Sequence, residues 1–195
     1  MELFFDTETT GKGNFKLPHT HLSQPHLVQL ACILSTHERI YATVNILVKP
    51  GVMIPADAQK VHGISDDDVT MAGVETIAAV QLFAKMAAKA HRVVAHNLQY
   101  DRLVMMNAAH RCNYKLACFD LPSQGTAPEG LCTMLSAKNV CKLPGMYGDF
   151  KWPTLDEAYR HIVDQAGFTG AHDALVDVTA CRALYYRMVQ RGEIR

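Results

Sequence analysis

Acidic side chains stand at three places in this chain where a folded protein does not ordinarily keep them. The first is Phe5-Asp6-Thr7-Glu8-Thr9-Thr10-Gly11, directly after the apolar run Leu3-Phe4-Phe5. Side chains alternate on a strand, so Asp6 and Glu8 point to one side. Two like charges at the end of a buried strand repel each other. A hard divalent cation, Mg²⁺ or Mn²⁺, is the partner that oxygen ligands suit; the bland alternative is a solvated acidic turn. The second place is Asp177. Ala174, Cys181, Leu184 and Met188 mark the apolar stripe of a helix, and Asp177 completes its spacing. A carboxylate on a buried helix face is costly unless an arginine or a metal meets it. His172 stands at the start of the same helix, after Gly167 and Gly170, and has the chemistry of a general base. The third is Ala95-His96-Asn97-Leu98-Gln99-Tyr100-Asp101, running from a strand end into a helix with Asp101 one turn in. Ligands collect at the carboxyl ends of strands in α/β sheets; the alternative for Asp101 is a surface ion pair. Four acids and a histidine from three separated segments match what two metal ions about 3.5–4 Å apart require.

The elements that must bring these segments together are legible in the periodicity. Short β-branched or apolar runs predict strands at 2–6, 26–34, 40–48, 92–95 and 116–119, with 26–34 and 40–48 as a hairpin. Helical spacing predicts helices at 74–90, 98–111, 131–141, 154–165 and 173–191. Residues 11–25 and 121–130, rich in Gly and Pro, read as loops. This order predicts an α/β fold, a mixed sheet flanked by helices, as one domain over 1–195. With 49% hydrophobic and 19% charged residues the chain is globular, which excludes disorder, collagen and coiled coil. No apolar run approaches the roughly 18 residues of a membrane helix, and the N-terminus lacks the basic start of a signal peptide. Six cysteines form no CxxC pair, so reduced thiols in a cytoplasmic protein are expected. Nineteen basic residues balance nineteen acidic ones, so any contact with nucleic acid must be local rather than a bulk electrostatic coat.

The three motifs FDTETTG, AHNLQYD and AHDALVD resemble those of the DEDDh exonucleases, the group containing the proofreading subunit of bacterial DNA polymerase III, RNase T and oligoribonuclease. Val61-His62-Gly63-Ile64, Leu131-Cys132-Thr133-Met134 and Lys151-Trp152-Pro153-Thr154-Leu155 extend the resemblance over nearly the whole chain. It implies an RNase H-like fold and 3′–5′ removal of nucleotides one at a time. It further implies two Mg²⁺ or Mn²⁺ ions held by Asp6, Glu8, Asp101 and Asp177, with His172 taking a proton from the attacking water. Thr7, Thr9, His62 and Asn97 are carried over as contacts to the 3′-terminal nucleotide. The substrate implied is a single-stranded 3′ end, DNA before RNA. An exoribonuclease or short-oligonucleotide nuclease is the near rival. A catalytically silent nucleic-acid-binding module or replicase subunit is the distant one, since all five catalytic positions are filled. The chain stops about where its last helix should end, so a free-standing enzyme is expected, or one whose polymerase contact uses the domain surface; a polymerase partner is possible but not indicated, and a monomer or homodimer is expected.

Other residues carry weaker signals. His19 and His21 form HxH in a loop with no third ligand apparent, so a solvated loop is expected. Tyr147 and Trp152 have the chemistry to stack on a base, with core packing or loop anchoring the expectation for Trp152; Phe15, in a polar loop, is the better stacking candidate. Residues 76–115 carry Lys85, Lys89, Arg92, Arg102, Arg111 and Lys115 against Asp101, and the last helix adds Arg182, Arg187, Arg191 and Arg195 against Glu193. Either set could touch phosphates; an ordinary solvated helix face is the expectation.

Overall fold

The computed structural model describes residues 1–119, 127–146 and 148–194. The expectations for 121–126, Tyr147 and Arg195 therefore lie outside the described residues. Among those described, six strands form one sheet. They are β1 (Glu2–Thr9), β2 (Leu27–Ser35), β3 (Ile40–Lys49), β4 (Val74–Glu75), β5 (Arg92–Ala95) and β6 (Glu129–Cys132), in spatial order β4-β3-β2-β1-β5-β6. The hairpin pairs β1, β2 and β3 antiparallel, while β5 runs parallel to β1 and β6 parallel to β5. The sheet is mixed, as the element order implies, with the parallel half carrying the helical crossovers.

Strand β1 is the centre of the molecule, and its alternation divides the core. Leu3 and Phe5 face one layer, with Leu30 and Cys32 of β2, under α3 (Thr76–Ala87) and α4 (Leu98–Arg111). Phe4 faces the other, with Ala31, Ile33 and Val94. That layer is covered by α5 (Thr133–Cys141), α6 (Leu155–Ile162) and α7 (Ala174–Gln190). Leu184 and Met188 of α7 are fully buried there, each contributing about 1.5–3 kcal/mol through the apolar surface it removes from water. A small third cluster, Val28, Ile54, Ala58, Ile64 and Val69, holds α1 (Ala56–His62) and α2 (Asp66–Ala72) to the sheet.

The structure differs from the sequence expectations in the shorter elements. Residues 116–119 are not a strand: Ala117–Phe119 is a 3₁₀ turn whose Phe119 is buried against Phe5 and Phe83. Its apolar content reflects core packing rather than pairing. Helices α1 and α2 and strand β6 were not expected. Helix α2 nonetheless carries a capping box, in which the Ser65 hydroxyl accepts from the Asp68 N–H and the Asp68 carboxylate accepts from the Ser65 N–H. No disulfide joins any of the six cysteines, all of which lie among the described residues. No helix among the described residues is long and apolar enough to cross a membrane.

Candidate active site

The site forms where β1 ends and α7 begins. By alternation Asp6 and Glu8 lie on the α7 side of the sheet, as Phe4 does, while Thr7 and Thr9 lie on the α4 side. A register shift between Glu8 and Thr9 interrupts the ladder to β2 at this point. From the α4 side, Asp101 is buried, and its Oδ1 accepts a 2.8 Å hydrogen bond from the Thr7 hydroxyl. Strand β1 thus carries two carboxylates and positions a third.

Helix α7 supplies the other half. Asp173 caps it, its carboxylate accepting from the Leu175 and Val176 N–H groups. His172 takes a left-handed backbone conformation, φ 70°, and its N–H donates to Asp177 Oδ2 at 3.1 Å. This turn folds His172 back over the helix start. Ligand atoms of Glu8, His172 and Asp177 then lie within 4.8 Å of one another. The helix start is also tied to the sheet. Gln29, beside Glu8 on β2, accepts from the Ala174 N–H at 3.3 Å and donates to Asn45 at 2.9 Å.

The electrostatics are those of concentrated like charge. Burial raises Asp6 well above the carboxylate range, and Asp101, Glu8, Asp177 and Asp173 add to it. Glu8 is pushed up to about 8, by burial first and then by Asp177 and Asp101. Burial raises Asp101 too, against the Thr7 hydrogen bond, which favours its charged form. Asp177 is raised by burial despite the opposing His172 N–H. No lysine or arginine makes an ion pair with these four carboxylates among the described residues. Asp177 Oδ1 is buried with no hydrogen-bond partner. A buried carboxylate oxygen without a donor, inside a cluster of acids, is the donor set of a hard divalent cation.

The carried-over nucleotide contacts divide into two kinds. His62, at the end of α1, accepts from the Ile64 N–H through Nδ1 at 3.0 Å. Its buried Nε2 makes no hydrogen bond of standard geometry; burial and then the nearby His172 lower its pKa, against an interaction with the Thr9 backbone that raises it. Asn97 caps α4 in a left-handed conformation, φ 78°, at the strand end. Thr7 and Thr9 have their hydroxyls engaged within the protein. Thr7 holds Asp101, and Thr9 hydrogen-bonds the Gly11 carbonyl at 2.8 Å and the Tyr100 hydroxyl at 2.6 Å. What geometry gives these two is a positioning role.

Two residues of the site were not singled out from sequence. Tyr100 ties the exit of β1 to α4, its hydroxyl sitting between Thr9 Oγ1 at 2.6 Å and the Gly11 carbonyl at 2.8 Å. Its signal was an aromatic hydroxyl directly before Asp101. Gln29 was visible as a lone amide inside an otherwise apolar strand. His96, by contrast, is structural. It bridges Thr133 and the Pro153 carbonyl, and burial lowers it to about 4. The basic side chains expected on helix faces are partly committed as well: Arg92 pairs with Glu129, Arg102 donates to the Phe119 carbonyl, and Arg182 to Ser35 and Thr36.

A mixed sheet whose central strand ends in paired carboxylates, completed by acids from two helices, defines an RNase H-like nuclease. The family model described as an exonuclease, RNase T type, matches residues 3–185. The chain belongs to that family, with the motifs of its DEDDh 3′–5′ hydrolases. It is 29% identical over 188 residues to an uncharacterized exonuclease, CP81, of Escherichia phage 186, covering 90% of this chain and 81% of the phage protein. Among solved structures, Escherichia coli exonuclease I in complex with a dA16 oligonucleotide superposes with a TM-score of 0.75 at 19% identity over 97% of this chain. A zinc-bound form of the same enzyme with single-stranded DNA gives 0.74 at 19% identity. The chain spans about two-fifths of the length of those exonuclease I chains, 41% and 40%.

Proposed function

We propose that this chain removes nucleoside monophosphates one at a time from the 3′ end of single-stranded DNA, by phosphodiester hydrolysis dependent on two Mg²⁺ or Mn²⁺ ions. The observation that supports this is that Asp6, Glu8, Asp101 and Asp177 lie close enough for their charges to act on one another with no lysine or arginine ion-paired to them among the described residues, and that Asp177 Oδ1 has no hydrogen-bond partner. These four would hold the ions. When bound, the ions offset the charge that builds on the phosphate in the transition state and make the attacking water more acidic. His172, exposed at the rim of the pocket, is within reach of the carboxylates and is assigned the proton of that water. His62 Nε2 and Asn97 face the terminal nucleotide, while Thr7, Thr9, Tyr100 and Gln29 keep the two halves of the site in register. The oligonucleotides in the exonuclease I structures support a single-stranded substrate, and DNA over RNA is the preference we assign.

The test is a gel-resolved digestion of matched 5′-labelled DNA and RNA oligomers with Mn²⁺, Mg²⁺ or chelator. A ladder shortening from the 3′ end, faster on DNA and absent in chelator, is expected. RNA digested faster than DNA would overturn the substrate assignment. Oligomers left intact with Mn²⁺ would overturn the activity. The closeness of His172 to Glu8 and Asp177 also fits a second reading in which its ring is a metal ligand. Titration of Mn²⁺ into His172→Ala separates the two, since loss of the base lowers kcat and loss of a ligand weakens the metal.

A further inference from the structure

The loop between β1 and β2 is built in a way that folding alone does not require. Residues 11–25 leave directly from the catalytic strand and return to the partner of Glu8's neighbourhood on β2. The neck is closed by two hydrogen bonds, Thr10 N–H to the His26 carbonyl at 3.0 Å and His26 N–H to the Thr10 hydroxyl at 2.9 Å. Inside the loop Gln24 is 1% exposed. Its amide nitrogen donates to the carbonyls of Asn14, Leu17 and Pro18, and its oxygen accepts from the Asn14 N–H. Helix α4 gathers more carbonyls: Asn107 takes that of His19, and Arg111 takes those of Leu22, Gln24 and Pro25. Gly13 packs so closely on α4 that a Cβ there would stand 2.7 Å from Leu103. Long surface loops are ordinarily mobile, and ordering one costs conformational entropy. Here buried amides and a guanidinium hold the backbone, not a hydrophobic anchor.

What the ordered loop presents is chemically one-sided. Phe15 is 52% exposed on it, and Lys12 and Lys16 flank Phe15 in the open, with no ion pair among the described residues. From Thr9 through His37 there is no Asp or Glu. A chain of zero net charge thus carries an acid-free, lysine-bearing segment that follows directly on the strand bearing Asp6 and Glu8 and packs along α4, the helix of Asp101. A polyanion approaching those carboxylates needs such a local offset. An exposed aromatic between cations is the arrangement that stacks a base while its phosphates are held.

Resting on the exonuclease reading above, we propose that loop 11–25 is a preformed cradle for the single strand 5′ to the scissile nucleotide, with Phe15 stacking on a base and Lys12 and Lys16 holding the adjoining phosphates. Gln24 is the positioning residue that keeps the cradle in shape.

Binding of a 5′-fluorescent DNA 12-mer, read by anisotropy in chelator, tests this without turnover, so its outcome is independent of whether the protein digests the strand. Phe15→Ala should weaken binding by roughly tenfold or more, the size of one lost base-stacking contact. Lys12→Ala with Lys16→Ala should weaken it and reduce the slope of log Kd against log salt by about 0.7 per lysine. Both are surface changes expected to leave the melting temperature in place. Gln24→Ala should weaken binding and expose Lys12 and Lys16 to trypsin. Wild-type affinity in the Phe15 variant, or an unchanged salt slope in the lysine variant, overturns the proposal.

Discussion

Strand β1 and helix α7 lie against each other with buried acids at both ends, and the two ends differ in one respect. At the Glu2 end every charge is answered. Glu2 accepts from the Tyr186 hydroxyl at 2.6 Å, and its other oxygen meets His91 at 3.1 Å and the N-terminal ammonium at 3.8 Å. Arg182 closes the same end by donating to Ser35 at 2.8 Å. At the Glu8 end, the charges of Asp6, Glu8, Asp101 and Asp177 act on one another, and Asp177 Oδ1 has no hydrogen-bond donor. Both ends lie between β1 and α7, but the Glu2 end supplies donors for its carboxylate, whereas the Glu8 end, where α4 adds Asp101, leaves Asp177 Oδ1 without one. A satisfied buried acid holds a fold together; an unsatisfied group of them marks where a ligand completes it.

The contrast can be broken or sharpened by experiment. The largest effect is expected from Asp6→Ala or Asp177→Ala. Each should abolish turnover while raising the melting temperature in chelator, because like-charge repulsion is relieved. Calorimetry with and without Mn²⁺ reads the second half, and a lower metal-free melting temperature would show that the acids are structurally satisfied after all. His172→Ala should lower kcat by roughly 10²–10⁴-fold at unchanged fold, measured on oligomers at saturating Mn²⁺. Tyr186→Phe acts at the other end. It removes a donor from a buried carboxylate, so a loss of about 1–3 kcal/mol in urea unfolding is expected, with kcat kept.

The smallest effect is in pH. Glu8 binds its proton more tightly folded than unfolded, at about 8 against an ordinary 4.5. The stability this confers on metal-free protein is complete below about 4.5 and is lost as pH rises toward 8. Melting temperatures in chelator should therefore fall over that window, and Mn²⁺ should remove the fall. A flat profile in chelator would show that Glu8 is not held among uncompensated charges.

Much of the site was legible because its signals are local. Alternation alone puts Asp6 and Glu8 together, and the helical stripe puts Asp177 on the buried face of α7. The long periodic helices and the β2–β3 hairpin were legible for the same reason. What could not be read depends on partners far along the chain. Gln29 matters because Ala174, 145 residues later, begins a helix beside it. Thr7 and Thr9 look like free hydroxyls in sequence, and only the packing of α4 shows Asp101 and Tyr100 engaging them. The turn at 117–119 misled because burial of Phe119, not strand pairing, selects its apolar residues.

The paired backbone at Thr10 and His26 has an evolutionary consequence. It pins the base of the β1–β2 excursion, so the exposed residues between, such as those around Phe15, can be exchanged or lengthened without tugging on either strand. Doubling such a segment adds only about 0.6 kcal/mol of closure entropy. Lys12, Phe15 and Lys16 can then drift as a replaceable cassette, while Asp6 and Glu8 on the neighbouring strand stay under separate constraint.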